Sequence, residues 1–262
     1  MQLKFVGQVK EIYKFRYTLF DMAHKQFKAK YAASFLGILW AVINPLLIMF
    51  AITFVFTVVF RAQVNNFALF VLSGIFPWFF FSNSVMEASG SIVSQRSILR
   101  QFNIPREIIP LSSVLSSLFN FLLGWVILYP VFLFVNQRII YLLPLLFAVI
   151  LLNLLFVSGL GLIFAVINVF LRDLSHFLEV LLMFWFWVTP IFYSSSMVPN
   201  SFQWIFKLNP MFFYVNCYRE IVFECSMPQL SSIVAIIFWA LLSLFLGLFI
   251  FSVSDPKILK RI

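Results

Sequence analysis

The sequence predicts an all-α polytopic membrane protein with six transmembrane helices, and three observations carry that reading. Of 262 residues, 63% are hydrophobic and only 10% charged, with a mean hydropathy of +1.03. A soluble domain of this size needs far more charge on its surface. Apolar runs long enough to cross a bilayer recur along the chain. The basic residues are also dense in alternate connections between those runs, as oriented membrane insertion requires. The length suits a single domain over 1–262: an interfacial amino-terminal helix (1–36), a six-helix membrane region (37–253) and a short tail (254–262).

The amino terminus reads as an amphipathic helix on the membrane surface. On a helical wheel from residue 11 to 31, Ile12, Phe15, Leu19, Phe20, Met22, Ala23 and Phe27 share one face. Lys14, Asp21, His24, Lys25 and Lys28 fall opposite, while Arg16 and Gln26 intrude on the apolar side. Aromatic residues on one face and lysines on the other mark an interfacial helix; a helix packed on a protein partner is the alternative.

Membrane helix 1 is expected over 37–60, with Asn44-Pro45 inside it, and a polar connection over 61–66 leads to helix 2 at 68–86. A polar interruption over 87–110, carrying Arg96, Arg100 and Arg106, separates it from helix 3 at 111–135. Helices 4, 5 and 6 follow at 142–169, 177–193 and 231–253. Ser158, Gly159 and Gly161 would let helix 4 approach a neighbour closely. The segment 194–230 is too long for a turn and too aromatic for a solvated loop. Pro199-Asn200-Ser201 starts one short helix, Asn209-Pro210 breaks the chain, and 211–223 forms a second. Together they predict an external re-entrant helical hairpin between helices 5 and 6.

Placing the amino terminus inside puts 14 basic residues on the interior and leaves Arg61, Arg138, Lys207 and Arg219 outside. That asymmetry predicts cytoplasmic termini and explains the net charge of +9 without nucleic acid. The first 30 residues hold no apolar core with a small-residue cleavage site, so helix 1 is expected to direct insertion and stay. Cys217 and Cys225 have no metal-site spacing and read as buried thiols, with their pairing left open.

Catalysis finds little support. There is no HExxH, no GxSxG and no paired carboxylate at mid-membrane depth, so no catalytic or metal residues are expected. No glycine is followed by lysine, which excludes a phosphate-cradling loop of the G-K-[S/T] kind. The helix centres hold no ionisable group to bind a coupling ion, and Glu87 and Glu179 sit within reach of the cytoplasmic face. Such a chain borrows its energy or acts passively. Arg172-Asp173 with His176 is the one modest polar cluster that a membrane-bound transferase would use.

The residues also form a familiar series. Tyr31, Leu36-Gly37-Ile38-Leu39-Trp40 and Asn44-Pro45 lead into helix 1, and Leu72-Ser73-Gly74-Ile75-Phe76-Pro77-Trp78-Phe79-Phe80-Phe81-Ser82-Asn83 fills helix 2. Leu171-Arg172-Asp173-Leu174, Thr189-Pro190-Ile191-Phe192-Tyr193, Asn209-Pro210 and Tyr218-Arg219-Glu220 follow in order. The chain thereby resembles the permease subunits of ABC-2-type exporters, those for O-antigen polysaccharide in particular, with teichoic-acid and capsule exporters as relatives. The resemblance covers nearly the whole chain.

That resemblance implies a bacterial inner-membrane homodimer working with two nucleotide-binding ATPase subunits, ATP and magnesium being held by the partner. It implies a cytoplasmic coupling helix at about 91–103 and external gate helices at 199–223. Ser94, Arg96, Ile98, Leu99, Arg100 and Phe102 are the candidate ATPase contacts: Ile92, Ile98, Leu99 and Phe102 would enter a groove, while Arg96 and Arg100 meet acidic residues. The cargo is expected to be lipid-linked polysaccharide, which needs a protein-lined path. Aromatic faces hold sugars without fixing them, and Trp78, Phe79, Phe80, Tyr193, Trp204 and Tyr218 are the candidates for the path or gate. Among 37 Phe, 7 Trp and 8 Tyr, most must simply face lipid or core. A drug or small-lipid exporter of the same architecture, and a membrane transferase, are the competing readings.

Overall fold

The structure, a computed structural model, describes residues 2–32, 34–59, 66–171 and 173–261. Among these residues the chain is helical and contains no strand. A helix satisfies its backbone groups within its own segment, which is what hydrocarbon demands. The elements are α1 (Gln2–Lys14), α2 (Arg16–Tyr31), α3 (Trp40–Phe54), α4 (Phe67–Ser94), α5 (Arg96–Gln101), α6 (Ile108–Val135), α7 (Leu143–Phe170), α8 (Leu174–Val188), α9 (Trp204–Leu208), α10 (Pro210–Val222) and α11 (Leu230–Arg261). Single turns at Gly37–Leu39 and Val55–Val59 extend α3 at its two ends.

Among the described residues, five segments are long and apolar enough to cross a bilayer: Gly37–Val59, Phe67–Ser94, Ile108–Val135, Gln137–Phe170 and Leu230–Pro256. The expected fifth helix, 177–193, takes a different form. α8 begins earlier and has 15 residues, about 22 Å at the usual rise, against a hydrocarbon core of about 30 Å. It stops because Pro190 follows Thr189, which is extended at φ −84°, ψ 128°; a residue before proline is pushed out of the helical region. Helix 2 instead runs past its expected end at 86. Ser89 and Ser91 donate to the Met86 and Ala88 carbonyls at 2.8 and 2.7 Å, and Ile92 is fully buried. The connection at 61–66, including Arg61, lies outside the described residues except for Asn66.

The amino-terminal helix expected over 11–31 is divided at Phe15 (φ −93°, ψ 17°). α2 lies along α6, with Ala23 buried and Phe20 and Phe27 edge-on to Phe119. Gln26, an apparent intruder on the apolar face, has a reason to be there: its Nε2 donates to the Ser112 hydroxyl at 2.8 Å.

α4 is the axis of the bundle, 72% buried in its most apolar stretch, and α3, α6, α7, α8 and α10 all contact it. Gly161 on α7 permits the approach of Ala88 and Val114, and Gly124 on α6 makes room for the Phe76 ring. α7 and α11 meet backbone to backbone at Gly159, Ser243 and Gly247. α3 is the opposite case, with only 6% of its span buried.

One end of the bundle gathers both chain termini. Gln8 Nε2 donates to Glu107 at 2.6 Å, Arg106 pairs with Asp255, and Arg261 donates to the Phe170 carbonyl at 3.0 Å. α5 lies at this same end, between α4 and α6.

Candidate functional site

The polar interruption builds a small surface feature. Its expected single element, 91–103, is two: residues 91–94 complete α4, and α5 starts at Arg96 after Gln95 leaves helical geometry (φ −104°, ψ 26°). α5 buries none of its residues. Ser94, Arg96, Arg100 and Phe102 are exposed, whereas Ile98 and Leu99 are half-buried and Leu99 rests on a core containing Ile109, Leu162 and Phe251. Ile92 is wholly inside, so it is not available to a partner. The feature ends at Asn103-Ile104-Pro105, where Phe102 turns extended (φ −122°, ψ 135°). Glu107, next to it, is 6% exposed; its burial, together with the nearby Asp255 and Glu11 charges, holds the carboxyl above the usual range against the pull of the Gln8 bond.

The opposite half is organised around the break between α9 and α10. Asn209 caps α10: its Oδ1 accepts from the Met211 backbone at 3.0 Å and from Trp185 Nε1 at 2.8 Å. Its Nδ2 donates to Thr189 Oγ1 at 3.0 Å, which ties the break to the end of α8. An Asn cap followed by proline at the first helical position is a sound way to start a helix. Trp185 touches Trp78 and Phe81, halfway along α4, so α10 begins deep in the bundle. It climbs outward from there. Tyr214 stacks on Phe156 and its hydroxyl donates to the Leu152 and Ile236 carbonyls, Tyr218 stacks on Trp125, and Phe223 meets Phe70 near the start of α4.

Arg219 secures that helix. It is 6% exposed, donates to the Pro190 and Ile191 carbonyls at 3.0 and 2.7 Å, and lies 3.8 Å over the Phe70 ring. Gly74 leaves the room: a Cβ there would stand 3.1 Å from Arg219 Nη2. Arg219 is thus a bundle residue and not the loop charge that the orientation count made it. The signal was present as one arginine inside the apolar run 211–223, where a cation persists only with dedicated acceptors.

The six aromatic candidates separate. Trp78, Phe80 and Tyr218 are buried among the chain's own rings. Tyr193 is half-buried and donates to the Trp187 and Val188 carbonyls at 3.2 Å, capping α8. Trp204 is exposed on α9. Phe79 alone of the six lines both clefts that flank α3. Cys217 and Cys225 are unpaired, and no cluster of metal-ligating side chains occurs among the described residues. Asp173 and His176 are exposed; Arg172 lies outside the described residues.

Among the described residues, an all-helical bundle of apolar spans, with its termini and one short exposed helix at one end and the α9–α10 pair toward the other, is a polytopic membrane domain in form. The chain belongs to the ABC-2 type transporter family, whose pattern it matches over residues 18–223. It is 33% identical over 245 residues to the O-antigen export system permease protein RfbA of Myxococcus xanthus, covering 90% of this chain and 94% of that one. To the RfbA permease of Klebsiella pneumoniae it is 34% identical over 212 residues, 78% of this chain and 80% of the relative. The polysialic acid transport protein KpsM of Escherichia coli is 24% identical over 244 residues, 90% of this chain and 92% of that one.

Proposed function

We propose that the chain is the membrane-spanning permease subunit of an ATP-driven exporter that moves lipid-linked O-antigen-type polysaccharide across the bacterial inner membrane. The observation that carries this reading is the 33% identity, over 90% of the chain, to a permease named for O-antigen export. The chain has no G-K-[S/T] phosphate loop of its own, so ATP and magnesium belong to a separate subunit. The working assembly is two copies of this chain with two nucleotide-binding subunits.

In this reading both termini are cytoplasmic, and α5 with its exposed Arg96, Arg100 and Phe102 receives the stroke of the ATPase. Chain parity supports a sixth crossing: Leu174 follows the end of α7, while Phe192 meets Phe56, which stacks on Phe67 at the start of α4. The short α8 and the extended residues after it therefore travel between the two ends. α9 and α10 are a hairpin that dips into the membrane from outside, and its Asn209 break is covered by Trp185 and Thr189, as non-helical backbone at that depth must be. The candidate path and gate residues are those of α4 and of this hairpin.

The decisive experiment deletes the gene and identifies the polymer retained inside the cell. Intracellular O-antigen supports the reading. Retained capsular polymer would move the assignment toward the capsule branch, which the likeness to KpsM favours as the second reading, and normal export of both would overturn it.

A further inference from the structure

A cavity of about 700 Å³ opens between α10, the start of α11 and the chain that follows α8, a volume suited to a small ligand. Phe212, Asn216 and Glu220 recur every fourth residue along α10 and form one wall, and Glu224 continues the row past the helix end. Lys207 of α9 and Ser232 of α11 also line it.

Two cations and two carboxylates thus share the cavity, Lys207, Arg219, Glu220 and Glu224, and among the described residues none of them forms an ion pair. Arg219 is the telling member. Its Nη2 is spent on the Pro190 and Ile191 carbonyls and its face on Phe70, all uncharged. Its Nε finds no partner among the described residues. A cation only 6% exposed is costly without a counter-charge. The Asn216 amide likewise forms no hydrogen bond with the described residues, whereas Glu220 accepts from the Gln229 backbone at 3.2 Å.

The charges are also ordered. Lys207 lies in the last turn of α9, just before Asn209 starts α10 deep in the bundle. Glu220 and Glu224 stand near and beyond the outer end of α10. The cavity is therefore basic toward the bundle and acidic toward its end, with Arg219 between.

We propose that this cavity holds the head of a glycerophospholipid carrying phosphoethanolamine, with the phosphate on Lys207 and Arg219 and the ammonium on Glu220 and Glu224. Such a head lies in a leaflet in the same sense, phosphate toward the acyl chains and ammonium toward water. A bare phosphate would face two carboxylates, and a lone amine two cations, so neither charge fits by itself. Phe70, Phe212 and Phe213 give the glycerol and first acyl carbons an apolar wall, so the bilayer rather than solution supplies the ligand. The bound lipid bridges the α9–α10 hairpin and α11. The assignment rests on the orientation proposed above and not on the nature of the cargo.

The test is native mass spectrometry of the purified full chain in detergent. It is titrated with phosphatidylethanolamine, phosphatidylglycerol and phosphatidylcholine of equal chain length, and with free glycerophosphoethanolamine. Wild type is expected to bind phosphatidylethanolamine about tenfold tighter than the other two lipids, the effect of one charge-assisted hydrogen bond. Phosphatidylglycerol lacks the ammonium, and the choline head has no N–H to donate. Lys207→Gln should weaken phosphatidylethanolamine and phosphatidylglycerol alike. Glu224→Gln should remove most of the preference between them, and Glu224→Lys should reverse it. Both positions are exposed, so the melting temperature should stay at the wild-type value. Equal binding of the three lipids by wild type overturns the proposal, as does an unchanged preference in Glu224→Lys. Free glycerophosphoethanolamine binding as tightly as the lipid overturns the bilayer as its source. None of these outcomes bears on the export reading, which the retained polymer decides.

Discussion

A Cβ added to Gly159 would stand 2.2 Å from the Ser243 carbonyl carbon, and one added to Gly247 would stand 2.4 Å from the Gly159 carbonyl oxygen. α7 and α11 touch through their backbones, and Ser243 closes the contact by donating its hydroxyl to the Phe156 carbonyl at 2.8 Å. Between membrane helices, close packing and interhelical hydrogen bonds replace the hydrophobic drive, so this seam is expected to hold the carboxyl-terminal span. Gly159→Ala puts a methyl against backbone that has no flexible end to yield. It should cost at least the ~1–3 kcal/mol of ordinary overpacking, read as a lower melting temperature of the purified complex. Ser158→Ala, one position away, should leave stability nearly unchanged.

Arg219 makes a second point of tension. Arg219→Met removes a buried charge but strands the Pro190 and Ile191 carbonyls, each an unpaired acceptor worth about 1–3 kcal/mol. Arg219→Lys keeps the charge and loses the fork that reaches both carbonyls and the face of Phe70. Both substitutions should destabilise the complex, Met more than Lys, and both should reduce export without affecting ATP binding. Melting curves together with nucleotide-binding titrations check this; equal stability of Arg219→Met and wild type would remove the anchoring role.

Glu107 gives a pH dependence. Its carboxyl titrates above the usual range in the folded state because burial disfavours the charge. The folded state therefore holds this proton more tightly than the unfolded chain does. The group's stabilisation is complete below the ordinary glutamate range of about 4.3 and is lost as pH rises through the raised value. Glu107→Gln keeps an oxygen for the Gln8 bond and removes the titration. On acidification in detergent the melting temperature of wild type should gain relative to that of the variant, and the variant should match or exceed wild type at neutral pH.

Long apolar runs were the legible part of the fold, because membrane helices announce themselves by length and composition alone. Their ends were less so. The extension of α4 to Ser94 depends on serines that bond back to their own helix, and polar letters read as loop in a hydropathy pattern. Pro190 was visible, but that it would leave α8 at 15 residues follows from Arg219 and Asn209 stabilising the extended chain beyond it. The division at Phe15 has no proline or glycine to mark it. At the candidate site, the docking residues read from the sequence divide: Arg96, Arg100 and Phe102 are exposed, whereas Ile92 is hidden by tertiary packing. It ranked aromatic residues by their neighbours in sequence, while burial by rings from other helices separates Phe79 from Trp78 and Phe80. Asn44 and Asn83 were visible only as letters of a motif; their exposure emerges once α3 is seen standing off the bundle.

α5 carries the last prediction. Its arginines are four residues apart and both exposed, with Phe102 60% exposed beside them and Leu99 turned to the core. A short helix rooted by one face and charged on the other suits a docking element that moves with what it touches. Arg96→Glu combined with Arg100→Glu reverses the surface charge without touching the buried side, so the permease should assemble normally. Transport-coupled ATPase activity should fall at least about tenfold, on the scale of like-charge juxtaposition at an interface, and a raised salt concentration should narrow the gap between variant and wild type by screening. Phe102→Ala should weaken the same coupling with no salt dependence. Retention of full coupled activity by the double variant in an intact complex would exclude α5 as the receiving surface and leave α1, which meets the same end of the bundle through Gln8 and Glu107, as the element to test.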